Sequence, residues 1–375
     1  MQKKIIHNNK LIRCTNCTMP LSRPRMEFND KGICNACMWT IAKKKINWKE
    51  RIKILKRHLD HEKLSKQNFN VLVPVSGGKD GSYVSHMVRH KLKGIPLAVT
   101  ATPPLQLDIG TQNLKNFVKS GYDLVSIDVN YQTMRKINTL GFIEIGFPYF
   151  GWLVAIHTAV LRTAINFGIN LIIYGEDGEV EYGGNPENIK NPFYDHNYMK
   201  KIYLENNYKK VFNKIIFKGN EDYFFRFPKD DLLKKLKITH WSYFENWDPY
   251  RNYLVAKRFC GLQESKKNNL GTFTNFAQND QALVALHTYL MYLKFGFGRA
   301  TADACIEVRR GSMERNQAIS LIKAYDGHFP KEFEELYLDY FKMNKRKFYN
   351  ILFKHTDKKL FKKIGNNIIP KIKLA

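Results

Sequence analysis

Long apolar runs are missing from this 375-residue chain. Its most apolar stretch, Tyr149 to Tyr174, is broken by His157, Arg162 and Asn166, so no membrane span is expected. The opening Met-Gln-Lys-Lys-Ile-Ile-His-Asn-Asn has no apolar core of signal-peptide length, and the expectation is a cytoplasmic protein. Internal repeats and low-complexity linkers are absent too. Acidic residues are few, 34 against 61 Lys and Arg, giving a net charge of +27. That balance would suit nucleic acid or another polyanion. The lysines are scattered, however (Lys43–Lys45, Lys209–Lys210, Lys234–Lys237, Lys266–Lys267, Lys358–Lys363). Lys, Asn and Ile are abundant throughout, which an AT-rich gene also produces. Composition alone is the preferred explanation of the charge; the alternative is attraction of anionic substrates such as nucleotides, nucleotide sugars or RNA.

Cysteine is scarce as well, with six in all, and four of them fall together. Cys14-x2-Cys17 and Cys34-x2-Cys37 are separated by sixteen residues, a spacing that suits a tetrahedral metal site with two tight knuckles. In a cytoplasmic chain disulfides explain this pattern less well. Structural zinc is the expectation, with an iron–sulfur cluster as the alternative. Cys260 and Cys305 stand alone and read as small buried residues rather than nucleophiles.

What is present is most informative at residues 70–82, Asn-Val-Leu-Val-Pro-Val-Ser-Gly-Gly-Lys-Asp-Gly-Ser. Val71, Leu72, Val73 and Val75 read as a buried strand, and Tyr83 to Leu92 as a helix. Gly77 and Gly78 between them allow successive amide N–H groups to converge at the positive end of that helix. Such a nest holds a phosphate. Ser76 and Ser82 offer hydroxyls, Lys79 a charge and Asp80 a magnesium ligand. The Walker A spacing is absent. A plain glycine-rich turn is the competing reading.

Strands then alternate with helices: strand 70–75, helix 82–93, strand 96–101, helix 108–119, strand 123–127, helices 131–140 and 151–167, strand 170–174. This alternation predicts an α/β fold, a parallel sheet with helices on both faces and ligands at the carboxyl ends of the strands. That rim would gather Ser76–Ser82, Ala101–Pro104, Asp128–Asn130 and Gly175–Gly184. The last segment carries Glu176, Asp177, Glu179 and Glu181, four carboxylates within six residues. They repel one another unless a metal, a cation or a polar substrate is close. A solvated acidic loop is the alternative. Residues 185–270 show no clear period and read as helices and long loops covering the site. Asp280–Phe295 and 300–309 have helical spacing. Arg299, Arg309 and Arg310 could fork onto phosphate or carboxylate, and Asp303 and Glu307 share one helical face; ordinary charge pairs would read the same way.

Four segments together resemble one family, the N-acetyl sugar amidotransferases of bacterial surface-glycan synthesis. They are Arg13-Cys-Thr-Asn-Cys-Thr-Met-Pro with Arg23-Pro, Phe28 and Gly32-Ile-Cys-Asn-Ala-Cys37; Val75-Ser-Gly-Gly-Lys-Asp-Gly-Ser82; Tyr174-Gly-Glu-Asp-Gly-Glu-Val-Glu-Tyr-Gly-Gly184; and Lys294-Phe-Gly-Phe-Gly-Arg-Ala-Thr-Ala-Asp303 with Arg309 and Tyr325-Asp-Gly327. The second is similar to the Ser-Gly-Gly-x-Asp-Ser loop of the PP-loop ATP pyrophosphatases, with Gly81 as one extra residue. The resemblance implies a PP-loop, Rossmann-like domain with an N-terminal zinc-ribbon-like module and a helical C-terminal region. Along the chain the sequence itself reads as a four-cysteine module at 1–45, a connector at 46–68 with a helix from Trp48 to Leu64, and an ATP-binding domain at 69–190. A substrate-covering region at 191–330 and a basic helical tail at 331–375 complete the chain.

The resemblance further implies conversion of an acetamido group on a sugar, a nonulosonic acid or a nucleotide-linked sugar, into an acetamidino group. Lipopolysaccharide, flagellin glycan or pseudaminic acid would be the destination. ATP and Mg2+ would serve the reaction, zinc would sit on Cys14, Cys17, Cys34 and Cys37, and a separate glutaminase would supply ammonia. Under that reading Ser76, Gly77, Gly78, Lys79, Asp80, Gly81 and Ser82 hold phosphate, with Asp80 on magnesium. Ala101 and Thr102 hold adenosine, and Glu176 and Asp177 orient sugar or ammonia. Glu179, Glu181, Arg299, Asp303 and Arg309 are further substrate candidates. Two rivals remain: a tRNA thiolation enzyme, which also joins a zinc ribbon to such a loop, and a scaffold that binds without turnover.

Overall fold

In the computed structural model, which describes residues 4–63, 68–365 and 367–375, a five-stranded sheet forms the centre. Its strands are β1 (Val71–Pro74), β2 (Pro96–Ala101), β3 (Leu124–Ile127), β4 (Leu171–Tyr174) and β5 (Lys237–His240). All neighbours pair in parallel, in the spatial order β3-β2-β1-β4-β5. Alternate side chains of β1 go to opposite faces, and both faces are apolar. Val71 and Val73 pack with Tyr83, Val84 and Val88 of helix Lys79–His90, while Leu72 packs with Val160, Leu161 and Ala164 of helix Phe150–Asn166. Strands this apolar cannot face water, so helices cover the sheet on each side.

The α/β fold class with a parallel sheet is therefore what the sequence indicated, with two corrections. β5, Lys-Ile-Thr-His, lies inside the stretch 185–270 that had been read as helix and loop alone. The helix after the glycine loop begins at Lys79, not residue 82, because its first turn uses the loop's own backbone. The expected end of the connector helix at Leu64 lies outside the described residues; the helix spans Trp48–Lys63.

The chain folds back from β5 through helix Pro249–Cys260, which lies along helix Lys79–His90. Helices Leu283–Phe295, Glu334–Phe341 and Lys345–Lys354 then build a second core with Phe142. Tyr337 ties it down by donating its hydroxyl to the Ala282 carbonyl at 2.8 Å. The C-terminal region is helical, and closes with a hairpin, Phe361–Ile364 against Asn367–Pro370, which the pattern of lysines had hidden. Among the described residues no helix is long and apolar enough to cross a membrane.

Candidate active site and cysteine centre

Sheet order reverses between β1 and β4, since β1 leads to β2 on one side and β4 lies on the other. In open parallel sheets the crevice for ligands falls outside the carboxyl ends of the strands at such a reversal. The glycine loop follows β1 there, and Gly175-Glu176 follows β4. Gly77 has φ +80°, and a Cβ on it would come within 2.9 Å of the Leu114 amide nitrogen, so only glycine fits the turn. No side chain caps helix Lys79–His90 at Gly78. Among the described residues no acceptor takes the N–H groups of Ser76, Gly77 or Gly78. Unsatisfied donors at the positive end of a helix are what an anion site requires.

They open into a cavity of about 420 Å³ that Ser76, Gly77, Gly78, Lys79 and Asp80 line from below. Lys79 Nζ pairs with Asp80 Oδ2, while Asp80 Oδ1 is buried with no partner. An orphaned carboxylate oxygen beside a phosphate nest is what a divalent cation would complete. Glu176 enters from the β4 side and makes no ion pair with a described residue. Burial, with Asp80 close by, pushes its carboxyl up to about 7. Helix Arg299–Arg310 supplies the roof, with Arg299, Asp303 and Arg309 on the cavity wall.

The structure does not bring the other expected residues here. Asp177 caps helix Gly178–Tyr182, accepting from the amides of Glu179 and Val180, and also accepts from Asn188 Nδ2 at 2.9 Å. Glu179 forms a two-pronged pair with Arg25, both bonds 2.7 Å. Glu181 accepts from Trp39 Nε1 at 2.9 Å and Lys43 Nζ at 2.7 Å. Ser82 donates its hydroxyl to the Gly78 carbonyl at 2.8 Å, inside the helix, so it is not a phosphate donor. Gly81 lies beneath the Pro74 carbonyl, where a Cβ would come within 2.6 Å. It permits helix and strand to touch, which accounts for the extra residue in the loop. Ala101 and Thr102 do not line the cavity; Trp152, which donates to the Ala101 carbonyl at 2.9 Å, does.

Several lining residues carried no usable sequence signal. Arg23, which enters the sequence reading only within a motif, is half-buried, with its Nε buried and unpartnered. His287 is held neutral by burial, down to about 3. Asp280 is raised by burial to about 6. Asp280 and His287 share the segment Asp280–Phe295, and tertiary folding brings it against Arg23 from the cysteine module.

The cysteine centre is built differently. Cys14, Cys17, Cys34 and Cys37 are all buried, their sulfurs within 4.8 Å of one another. Gly32, at φ +73°, turns the second knuckle. The Cys34 amide donates to Cys14 Sγ, Asn16 Nδ2 to Cys37 Sγ and Arg309 to Cys17 Sγ, at 3.3, 3.3 and 3.6 Å. Sulfurs ringed by N–H donors are arranged as thiolates, so the group suits a metal ion or an iron–sulfur cluster. Cys305 donates to the Cys17 carbonyl and stays outside the set. The module docks against the acidic segment at Gly183, whose φ of +83° and tight packing against Met26 and Ala36 leave no room for a side chain.

Fold and site together define a doubly wound α/β protein with a glycine-rich anion loop at its switch point and a four-cysteine centre beside it. Residues 270–373 match the family model described as "LPS biosynthesis protein WbpG-like, C-terminal domain". That segment contains the roof helix, Arg299–Arg310. No curated protein matches the chain. Among solved structures, the U34-tRNA thiolase NcsA from Methanococcus maripaludis, with its [4Fe-4S] cluster, is similar at 13% identity and a TM-score of 0.31. That likeness covers 80% of this chain and 86% of that one, and at this level it carries no argument about chemistry.

Proposed function

We propose that the protein is a cytoplasmic, ATP-dependent amidotransferase of the PP-loop type, acting on an acetamido sugar in surface-glycan biosynthesis. The observation that carries this reading is the meeting of two elements in one cavity. A phosphate nest with an orphaned carboxylate oxygen lies on one side, and the roof from the WbpG-like segment on the other.

An amide carbonyl is a poor electrophile, so its oxygen must first become a leaving group. The acetamido oxygen attacks the α phosphorus of ATP, and the bond to the bridging oxygen breaks, releasing pyrophosphate. Free amides of Ser76–Gly78 and the Lys79 ammonium hold the departing charge. Asp80 would hold magnesium, which when bound neutralises phosphate charge. Ammonia then adds to the activated carbon and AMP leaves with the former carbonyl oxygen. Glu176, a carboxyl poised near neutrality, takes the proton that ammonia sheds as the carbon–nitrogen bond forms. Ammonia comes from a separate glutaminase in this reading.

The cysteine centre supports structural zinc. Four sulfurs around one zinc at about 2.3 Å stand about 3.8 Å apart. Cys14–Cys37 and Cys17–Cys34 measure 3.9 and 3.6 Å. No cysteine lines the cavity among the described residues, which weighs against sulfur delivery. Incubating the protein with Mg·ATP, ammonia and a panel of acetamido sugars tests the proposal. AMP, pyrophosphate and a sugar lighter by the difference between O and NH are expected. ADP with orthophosphate, or AMP release that depends on tRNA, would overturn it.

A further inference from the structure

Beside the phosphate-loop cavity lies a second chamber of about 420 Å³, in the range of roughly 300–1,000 Å³ where small ligands are held. The two share Ala277, Gln278, Asn279, Val284, Thr288 and Arg299 as common wall. The polar part of the lining is mostly neutral amides and hydroxyls: Ser265, Asn269, Thr272 and Gln281 beside the shared Asn279 and Thr288. Phe333 and Ala285 supply apolar surface, and the charges are confined to Lys267, Arg299 and Glu332.

Gln281 is the telling residue. It is only 1% exposed, yet both its amide nitrogen and its amide oxygen lack a partner. A buried primary amide left without hydrogen bonds costs stability, so a group that faces a chamber in that state is matched by something that enters it. The wall around it is firmly held. Asp303 accepts from Thr272 Oγ1 at 2.6 Å and Thr274 Oγ1 at 3.1 Å, and pairs with Arg299 at 2.9 Å. Asp303 is thus a positioning residue, and it fixes Arg299 at the boundary between the chambers.

Resting on the function proposed above, we infer that this chamber is the sugar subsite. It takes the ring of a neutral N-acylated sugar, with Gln281 donating to and accepting from ring hydroxyls or an acyl amide. One acyl group of that sugar reaches past Arg299 toward the phosphate loop. Hydroxyl-rich rings need paired donors and acceptors above an apolar floor, and this lining offers both. A nucleotide phosphate would need more cationic charge than the chamber holds. Except for Leu107, Ser265, Lys267, Asn268 and Asn269, the lining comes from the segment that matches the glycan-biosynthesis family.

The test is direct binding to the full chain without ATP, by titration calorimetry and ligand-observed NMR. The probes are N-acetylglucosamine, UDP-N-acetylglucosamine and N-acetylneuraminic acid. At least one is expected to bind; Gln281→Leu should weaken it by about tenfold or more, as loss of a buried hydrogen-bonded pair does. Ala285→Phe, which fills the chamber from a partly exposed position on helix Leu283–Phe295, should abolish sugar binding, and ATP binding should be unchanged in both variants. N-acetylglucosamine bound at least as tightly as the other two supports the neutral ring, and a clear preference for UDP-N-acetylglucosamine or N-acetylneuraminic acid overturns it. No binding of any probe, or unaltered binding in both variants, overturns the inference. Sugar-dependent AMP formation that ignores both substitutions would sink the subsite alone. Gln281-dependent binding with no AMP formed would sink the adenylation alone.

Discussion

The cysteine module and the glycine loop both meet the acidic segment 176–184, and they treat its charges in opposite ways. On the module's side every charge is answered: Glu179 by Arg25, Glu181 by Lys43 and Trp39. On the loop's side they are left open: among the described residues Glu176 has no ion-pair partner, and Asp80 Oδ1 accepts no hydrogen bond. Closure of one half fixes the segment's position, so that the other half can keep reactive carboxyls at strand ends. Structural and chemical duties are thereby divided along a few residues.

That contrast can be broken from either side. The largest effect is expected from Cys34→Ser, which removes a ligand from the closed half. Metal content should fall from about one ion per chain toward none, with loss of several kcal/mol of stability. Elemental analysis with thermal unfolding checks this. An iron-type absorption spectrum in the purified protein would replace zinc by a cluster. Asp80→Asn acts on the open half. Adenylation should drop by about a hundredfold or more with the melting temperature nearly unchanged, measured as AMP release.

Glu176→Gln sharpens the comparison through pH. A carboxyl raised to about 7 is still protonated in the folded chain when the unfolded chain has ionised, so stability falls as pH rises from the ordinary carboxylate range through 7. Removing it should stabilise the ligand-free protein by about 3 kcal/mol at pH 8 and leave it unaltered at pH 4. Urea unfolding at both values reads the difference. Arg25→Ala should have the smallest effect, about 0.5–1 kcal/mol, because the pair is partly exposed.

Local signals made the centre of the molecule legible in the sequence. Val71–Val75 is too apolar for any place but a buried strand, and Gly77-Gly78 before a helix admits few uses. The cysteine spacing was equally plain. What escaped depended on partners remote in sequence. Asp177 looked like a site carboxylate, although Asp-Gly-Glu at a helix start is also a capping pattern, and the structure uses it so. Glu179 and Glu181 could not be assigned without knowing that Arg25 and Lys43 dock there. β5 escaped because four residues of mixed character acquire strand identity only beside β4. Gln281 carried no signal at all, since its meaning lies in an empty space beside it.

The cavity's lining runs from Met19 to Arg309. During synthesis the loop at 76–80 and Glu176 therefore leave the ribosome long before the helix that roofs them. A nascent chain shows its unsatisfied amides to water until Arg299–Arg310 arrives, and the pocket is complete only once that helix has emerged.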